Sequence, residues 1–253
     1  MTDSQSPPEI RVVADQRAMV EEAARRIVAA AQQAEIDGRL FALFLSGGST
    51  PRALYQLLAS DAWQGQIDWR NVEIYFGDER CVPPDSPDSN FRMANEALIT
   101  RVPIPSSQVF RIRGEIDPNE AAKEYGIILK EHFGDEGPDL MLLGMGADGH
   151  TASLFPDTEA LNETDHRCVA NHVPHDYVPK GTNWRVTVTF PFINRSREIL
   201  VLCAGKDKQA RVQQVLEAAG GPDQFPIQRV RPVGGSLTWL LDAAAAGMDV
   251  VEA

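Results

Sequence analysis

The chain has 253 residues, of which 43% are hydrophobic and 24% are charged, an ordinary globular composition that excludes disordered and collagen-like proteins. This length suits one large domain or two small ones. The 24 Lys and Arg residues against 36 Asp and Glu residues give a formal net charge of −12, which argues against binding of nucleic acid or of an anionic membrane.

The first part of the chain alternates strand-like and helix-like segments. Asp15 can cap a helix whose apolar residues recur at helical spacing, and Gly38 ends that helix. Pro51 suits the first turn of the next helix. In chain order the predicted elements are a strand over 11–14, a helix between Asp15 and Gly38, a buried strand over 40–45, a helix over 52–59 and a strand over 72–76.

The second part continues the alternation. The sequence Asp117-Pro118-Asn119-Glu120 combines an N-cap, a first-turn proline and a capping acid, and starts a helix that runs to about His132. The later predicted elements are a buried strand over 140–143, a strand of period two over 185–190, an apolar strand over 199–203, an amphipathic helix over 206–219 before Gly220-Gly221, and a last helix from Ser236 through Ala246.

This alternation predicts an α/β fold in which a mostly parallel sheet is covered by helices on both faces. Two connections, residues 77–90 and 144–180, are long for such a fold. Both follow predicted strands, and open α/β sheets bind their ligands at the carboxyl ends of strands. We therefore expect functional residues in these connections.

A glycine-rich turn, Ser46-Gly47-Gly48-Ser49-Thr50-Pro51, joins the strand at 40–45 to the next helix. Two adjacent glycines, Gly47 and Gly48, let the backbone turn tightly and approach a ligand. Ser49, Thr50 and the N–H groups of the helix start can hold an anion. The turn lacks the lysine of a P-loop, so these residues fit both a phosphate site and an ordinary capped turn.

Three charged residues, Asp78, Glu79 and Arg80, follow the strand at 72–76 after a single glycine, and a proline-rich loop then leads to Asn90. Charges at the carboxyl end of a buried strand face the ligand crevice of an open sheet. Arg80 suits a phosphate or a developing oxyanion, because a guanidinium can donate two hydrogen bonds at once. A solvated loop with an internal ion pair is the alternative interpretation.

A third segment, residues 144–156, follows the strand at 140–143 and has the sequence GMGADGHTASLFP. It begins with the G-x-G-x-x-G pattern of dinucleotide sites. Pro156 comes too soon for the long helix of such a site, and no clear second strand ends in an acid about 20 residues further on. The glycines instead indicate that Asp148 and His150 are exposed at a strand end, where an imidazole can act as a general base and a carboxylate can orient it.

Other catalytic signatures are missing from the sequence. It contains no G-x-S-x-G elbow, no H-E-x-x-H motif and no paired Cys or His at metal-ligand spacing, so we expect neither a metal nor a cofactor. We interpret His166, His172 and His175 as surface residues. Arg185, at a strand start, and Lys206, after a strand, are basic groups at strand ends, and an anionic ligand of so acidic a chain would need such cations around it.

Together these segments resemble the 6-phosphogluconolactonases, hydrolases of the oxidative pentose phosphate pathway, over nearly the whole chain. The most specific pieces are Gly77-Asp78-Glu79-Arg80 with Ser89-Asn90, and the segment 144–156. The related glucosamine-6-phosphate deaminases share the Asp-Gly-His step but continue to an Asn-Glu-Pro ending, where this chain has Ser153-Leu154-Phe155-Pro156. The resemblance implies a modified Rossmann-like fold that forms a single sugar-phosphate lactonase domain over residues 1–253.

The resemblance also implies a role for each matched residue. His150 would activate water against the carbonyl of 6-phospho-D-glucono-1,5-lactone, and Asp148 would orient the imidazole. The residues implied in substrate binding are Gly47, Gly48, Ser49 and Thr50 along the cleft, Asp78 and Asn90 on sugar hydroxyls, and Arg80, Arg185 and Lys206 on phosphate or carbonyl oxygen.

Two other functions stay open. A deaminase or aldose–ketose isomerase needs a carboxylate base beside the substrate carbonyl, and Asp78 could serve if the fold aimed it there. A non-catalytic sugar-phosphate sensor would keep the basic cleft, but such sensors usually carry a DNA-binding segment, and this chain has no basic helix-turn-helix region.

We expect a cytoplasmic monomer that binds a phosphorylated sugar lactone and neither nucleic acid nor membrane. The apolar runs, such as 40–45, fall far short of the ~18 residues of a membrane span. The first residues are polar and acidic, unlike a signal peptide. The three cysteines, Cys81, Cys168 and Cys203, are widely spaced and odd in number, which predicts reduced thiols rather than disulfides.

Overall fold

The computed structural model describes residues 7–178, 181–217 and 224–248. Its strands are β1 (Glu9–Val13), β2 (Phe41–Leu45), β3 (Val72–Phe76), β4 (Asp78–Arg80), β5 (Leu140–Gly144), β6 (Cys168–His172), β7 (Trp184–Val188), β8 (Glu198–Cys203) and β9 (Ser236–Asp242). Its α-helices are α1 (Gln16–Ile36), α2 (Ser49–Leu58), α3 (Asn90–Ala97), α4 (Pro118–Phe133), α5 (Phe190–Ile193) and α6 (Gln209–Glu217).

A parallel sheet of six strands lies at the centre, in the order β1-β9-β8-β5-β2-β3. All five residues of β2 are buried, because helices flank the sheet and leave no strand face of β2 to the solvent. The predicted α/β class with a mostly parallel sheet is confirmed. Parallel strands end at a common edge, so the segments that follow β2 and β5 begin side by side.

A second, antiparallel sheet has the order β4-β7-β6. Only Gly77 separates β3 from β4; its N–H donates to the Leu45 carbonyl at 3.0 Å, and its own carbonyl accepts from the Val188 N–H at 2.9 Å. Through these two hydrogen bonds, the backbone of Gly77 links the large sheet to the small sheet. The sequence analysis placed residues 77–90 and 144–180 in long connections and missed β4 and β6. All three residues of β4 are charged, and the five residues of β6, CVANH, show no apolar alternation.

The predicted helix caps are confirmed. The Asp15 carboxylate accepts from the Ala18 N–H at 2.8 Å, and the Asp117 carboxylate accepts from the Asn119 and Glu120 N–H groups at 2.9 and 3.2 Å. These bonds satisfy N–H groups that have no partner inside the helix. The boundaries of α1 and α4 follow from this local chemistry.

Three predictions in the last third of the chain are corrected. Ser236 starts β9 rather than a helix, because the run that follows contains β-favouring Thr238 and Trp239 and fits between β1 and β8. The strand predicted over 185–190 ends at Val188, and Pro191 lies in the first turn of α5. The helix predicted over 206–219 starts with a 3₁₀ turn, Lys206–Lys208, before α6, and its predicted end at Gly220-Gly221 lies outside the described residues.

Within the described ranges, no helix is both long enough and apolar enough to cross a membrane. His166, His172 and His175 are exposed, as predicted. His172 nevertheless belongs to β6, where its ring packs edge-on against Trp184 with the ring centroids 4.9 Å apart.

Candidate active site

A cleft of about 360 Å³ opens at the carboxyl ends of β2 and β5, and β4 and β7 of the small sheet contribute to its wall. The residues that line it are Ser46, Gly47, Gly48, Asp78, Arg80, Asn90, Gly144, Met145, Gly146, His150, Ala152, Ser153, Phe155, Tyr177, Val178, Arg185 and Lys208. A larger cavity of about 630 Å³ lies elsewhere, at residues 135–137 and 194–197, but its described lining includes no histidine. The smaller cleft therefore combines the base, the cations and the glycine-rich turns.

His150 and Asp148 form a hydrogen-bonded pair at the cleft. The Nδ1 atom of His150 lies 2.6 Å from Oδ1 of Asp148, and the His150 N–H donates to the same oxygen at 3.1 Å. An ionised carboxylate can only accept, so Nδ1 carries the ring proton and the lone pair is on Nε2. The imidazole ring also stacks on the ring of Phe155, with the centroids 3.9 Å apart. The hydrogen bond to Asp148 and this stacking contact together fix the orientation of the imidazole.

The hydrogen bond with His150 helps to keep the Asp148 carboxylate ionised. Burial on its own would raise the pKa of Asp148, but the hydrogen bond and the charge of His150 outweigh burial and lower the pKa below its ordinary value. Asp148 thus stays ionised at neutral pH and can hold the imidazole in one tautomer.

The glycines of the segment 144–156 make room for this pair. A Cβ atom on Gly146 would overlap Nδ1 of His150 and lie 2.6 Å from Oδ1 of Asp148. Gly149 has a φ of 81° and packs against Phe225. The G-x-G-x-x-G pattern thus supports a catalytic pair rather than a dinucleotide, and no long helix follows it.

Replacing Gly146 with alanine should lower kcat by at least about tenfold, because the new methyl group would displace the imidazole from its productive position. Steady-state kinetics on the folded variant would measure this loss. Gly126→Ala, in α4 and outside the lining of the cleft, is the control, since a Cβ atom there meets nothing within 4 Å. Equal losses in the two variants would contradict the steric argument.

Asp78 lies opposite this segment, on β4. It is 7% exposed, its Oδ1 accepts from Nδ2 of Asn90 at 3.1 Å, and its Oδ2 accepts from Oγ of Ser153 at 2.6 Å. Asn90 Nδ2 also donates to the Asp78 carbonyl at 3.0 Å. The predicted pair of Asp78 and Asn90 is therefore brought together, and Ser153 joins it from a different loop.

Glu79 explains how Asn90 reaches the cleft. This carboxylate is 3% exposed and accepts hydrogen bonds from the backbone N–H groups of Arg80, Asn90 and Phe91 and from the Ser89 hydroxyl. Burial raises the pKa of Glu79, while these hydrogen bonds act in the opposite direction. The side chain joins β4 to the start of α3, where Asn90 is the first helical residue.

Two arginines are register partners on neighbouring strands of the small sheet: Arg80 of β4 lies directly beside Arg185 of β7. Like charges in such a pair repel. Arg185 is 6% exposed, and its Nε has no hydrogen-bond partner among the described residues. Burial lowers the pKa of Arg185, Asp78 partly offsets this effect, and Arg80 adds to it. The unpartnered Nε and the two adjacent positive charges make this part of the cleft suited to an anion in addition to Asp78.

The structure does not bring the predicted Lys206 into the cleft. Lys206 is exposed and does not belong to the lining of the cleft, whereas Lys208 lines it. The 3₁₀ turn explains the difference, because successive side chains of such a turn point about 120° apart. Asp242, at the end of β9, supports this turn by accepting from the Gly205 N–H at 3.0 Å.

The glycine-rich turn after β2 reaches the cleft through Gly47 and Gly48. A Cβ atom on Gly47 would overlap Oδ1 of Asn90, and Gly48 has a φ of 109° at the cap of α2, so both positions require glycine. Ser49 and Thr50 lie in the first turn of α2 outside the lining, and Thr50 Oγ1 accepts from Gln16 at 3.4 Å.

Ten residues of the described lining were not among the predicted site residues: Ser46, Gly144, Met145, Gly146, Ala152, Ser153, Phe155, Tyr177, Val178 and Lys208. Ser153 and Phe155 belong to the segment 144–156, so their proximity to His150 was the available signal. Tyr177 carried none, because its position depends on how the chain folds between β6 and β7. Among the described residues, no group of three or more His, Cys, Asp or Glu side chains is arranged to hold a metal ion.

Comparisons with known proteins agree over most of the chain. A family model described as glucosamine-6-phosphate isomerases/6-phosphogluconolactonase matches residues 14–239. The 6-phosphogluconolactonase of Nostoc sp. is 36% identical over 242 residues, 93% of this chain and 96% of that protein. The 6-phosphogluconolactonase of Homo sapiens is 40% identical over 210 residues, 81% of this chain and 80% of that protein. The solved structure of 6-phosphogluconolactonase from Trypanosoma cruzi has a TM-score of 0.85, 28% identity and 98% coverage of both chains.

Proposed function

The chain belongs to the glucosamine-6-phosphate isomerase/6-phosphogluconolactonase family, and we propose that it hydrolyses 6-phospho-D-glucono-1,5-lactone to 6-phospho-D-gluconate in the oxidative pentose phosphate pathway. The observation that carries this proposal is the His150–Asp148 pair in the same cleft as the buried Nε of Arg185, which has no hydrogen-bond partner in the described part of the chain. A base and an anion-binding cation in one cleft suit a phosphorylated ester.

The proposed reaction needs only groups that the cleft contains. Nε2 of His150 takes a proton from water as the water oxygen attacks the lactone carbonyl carbon, and the charge moves to the carbonyl oxygen. The tetrahedral intermediate then breaks the bond from this carbon to the ring oxygen. The imidazolium of His150 returns its proton to the ring oxygen, which leaves as the C5 hydroxyl, and the product carries a carboxyl group. Before the attack Asp148 keeps His150 in the tautomer whose Nε2 accepts, and after the attack it stabilises the imidazolium.

We assign the cations of the cleft to the two anionic groups of this reaction. Arg80, Arg185 and Lys208 all line the cleft and can hold the phosphate or the developing oxyanion. The N-terminus of α2, next to Gly48, adds N–H groups that favour an anion. Asp78 and Asn90 bind sugar hydroxyls.

The direct test is to add purified protein to freshly prepared 6-phosphogluconolactone and to follow 6-phosphogluconate formation above the spontaneous rate. A rate equal to the spontaneous one would contradict the proposal. The deaminase and isomerase alternative is less supported, because the relatives that match most of the chain at 28–40% identity are 6-phosphogluconolactonases.

Replacing Lys208 with alanine should lower kcat/KM for the phosphorylated lactone by roughly tenfold to a hundredfold, the value of one charge-assisted hydrogen bond. The loss for unphosphorylated gluconolactone should be much smaller if Lys208 holds the phosphate. Lys206→Ala is the matched control, and its kinetics should stay close to those of the native chain. Equal losses on both substrates in Lys208→Ala would assign Lys208 to the carbonyl oxygen and leave the phosphate to the arginines.

Hydrolysis should survive exhaustive treatment with EDTA, because a placed water, a base and hydrogen-bond donors are sufficient for an activated cyclic ester. Initial rates before and after chelation would measure this. A loss that zinc or magnesium restores would contradict the metal-free mechanism.

We further propose that the chain works as a single catalytic domain, as a monomer, in the cytoplasm. Cys81, Cys168 and Cys203 are free thiols, as is usual in a reducing compartment. Burial raises the pKa of Cys81 to about 11 and that of Cys203 to about 12, so both stay protonated at neutral pH.

A further inference from the structure

Ser153 is the least exposed polar residue of the cleft and has no role in the mechanism above. Its side chain belongs to a residue that is 1% exposed, and its hydroxyl donates to Oδ2 of Asp78 at 2.6 Å. The two residues are 75 positions apart in the sequence. A hydroxyl so deeply buried, on a charged acceptor, forms one of the stronger kinds of protein hydrogen bond.

The backbone of Ser153 is held in place independently of this bond. Its N–H donates to Oγ1 of Thr187 at 3.2 Å, and its carbonyl accepts from Nδ2 of Asn171 at 2.8 Å. The preceding residue, Ala152, has a φ of 46°, which is uncommon for a residue with a side chain. Strands β6 and β7 thus maintain an unfavourable backbone conformation next to Ser153, and this conformation directs the hydroxyl to Asp78.

After these hydrogen bonds from Asn90 and Ser153, the Asp78 carboxylate can still accept hydrogen bonds from a ligand. Each carboxylate oxygen has about two lone-pair positions, of which Asn90 uses one on Oδ1 and Ser153 uses one on Oδ2. Asp78 lines the cleft, so one acceptor position on each oxygen is left for a ligand. Two adjacent acceptors match two neighbouring hydroxyl groups of a sugar ring.

We propose that Ser153 is a positioning residue that, together with Asn90, fixes the Asp78 carboxylate as a two-oxygen acceptor for neighbouring sugar hydroxyls. This inference rests on the proposed function for its substrate. Because Asn90 holds Oδ1 and Ser153 holds Oδ2, the carboxylate cannot rotate about its Cβ–Cγ bond without breaking one of these hydrogen bonds. The two free acceptor positions therefore keep a fixed spacing and orientation.

The test is a double-mutant cycle of Ser153→Ala and Asp78→Asn. Ser153→Ala alone should lower kcat/KM by roughly tenfold to a hundredfold, mainly through KM, because hydroxyl contacts are made in the ground state and the transition state alike. In the Asp78→Asn background the same substitution should cost less than about threefold. Equal costs in both backgrounds, or a loss confined to kcat, would overturn the proposal.

Two controls separate this role from a loss of folding. Ser196→Ala makes the same chemical change at a fully buried serine outside the cleft, whose hydroxyl donates to the Ile193 carbonyl at 2.7 Å, and it should leave kcat/KM within about twofold. If Ser153→Ala does not fold, Ser153→Cys keeps a similar volume with a weaker donor and should still raise KM. An unchanged KM in a folded Ser153→Cys variant would contradict the proposal.

Binding of the product distinguishes failure of this inference from failure of the proposed function. The dissociation constant of 6-phosphogluconate, measured by calorimetry across the same cycle, needs no turnover. Non-additive binding without hydrolysis by the native chain would support the role of Ser153 and refute the lactonase. Additive binding with normal hydrolysis would refute the role of Ser153 alone.

Discussion

Replacing His150 with alanine should lower kcat by ~10²- to 10⁴-fold with little change in KM, because the lost proton transfer belongs to the transition state. The structure supports this expectation through the 2.6 Å contact between His150 Nδ1 and Asp148 Oδ1, which leaves Nε2 as the accepting nitrogen. The measurement is steady-state kinetics corrected for spontaneous hydrolysis.

Asp148→Asn provides the matched comparison for His150→Ala. An asparagine can offer its amide N–H₂ to Nδ1, which would favour the opposite tautomer and remove the lone pair from Nε2. We therefore expect a large loss in this variant too, and little further loss when both substitutions are combined. Near-normal turnover in a folded His150→Ala variant would transfer the base role to another group.

Replacing Arg185 with methionine should lower kcat/KM by roughly tenfold to a hundredfold and at the same time raise the melting temperature by roughly 2 to 4 °C. The guanidinium of Arg185 is buried, and Arg80 is its register partner on the neighbouring strand. Its Nε has no hydrogen-bond partner among the described residues. We therefore expect the charge of Arg185 to destabilise the folded chain until an anion binds. Thermal unfolding in ligand-free buffer and kinetics on the phosphorylated lactone would test both halves.

Product binding should distinguish Arg185 from an ordinary surface cation. Saturating 6-phosphogluconate should raise the melting temperature of the native chain more than that of Arg185→Met, since ligand stabilisation follows affinity. Arg195→Met, at an exposed arginine outside the cleft, is the control and should respond to the product like the native chain. A lower melting temperature in Arg185→Met would show that the guanidinium supports the fold.

Local chemistry made much of the fold predictable. The continuous apolar run of β2 and the caps Asp15 and Asp117 depend on neighbours in the sequence, and the structure has each of them where expected. The small sheet depends on pairing between β4 and β7, which are about a hundred residues apart. No pattern within three charged residues can reveal that pairing.

The predicted site residues show the same difference between contacts set by neighbours in the sequence and contacts set by tertiary packing. His150 and Asp148 are two residues apart, so their contact followed from the segment itself. The choice between Lys206 and Lys208 depended on the 3₁₀ turn that follows Gly205, which apolar periodicity could not distinguish from an ordinary helix start. The bond from Ser153 to Asp78 depended on the packing of two sheets and could not be inferred from spacing.

The position of β9 has a consequence for how the enzyme is made in the cell. This strand lies between β1 and β8 and contributes Asp242, which holds Gly205 ahead of the Lys208 turn. During synthesis β1 (Glu9–Val13) leaves the ribosome long before β9 (Ser236–Asp242), the strand with which it pairs. Pairing of the first and last strands makes completion of the fold late. In a nascent chain that lacks β9, strand β1 therefore has no partner in the sheet, and the turn that carries Lys208 lacks the support of Asp242. We therefore expect activity only after β9 has been synthesised and has joined the sheet.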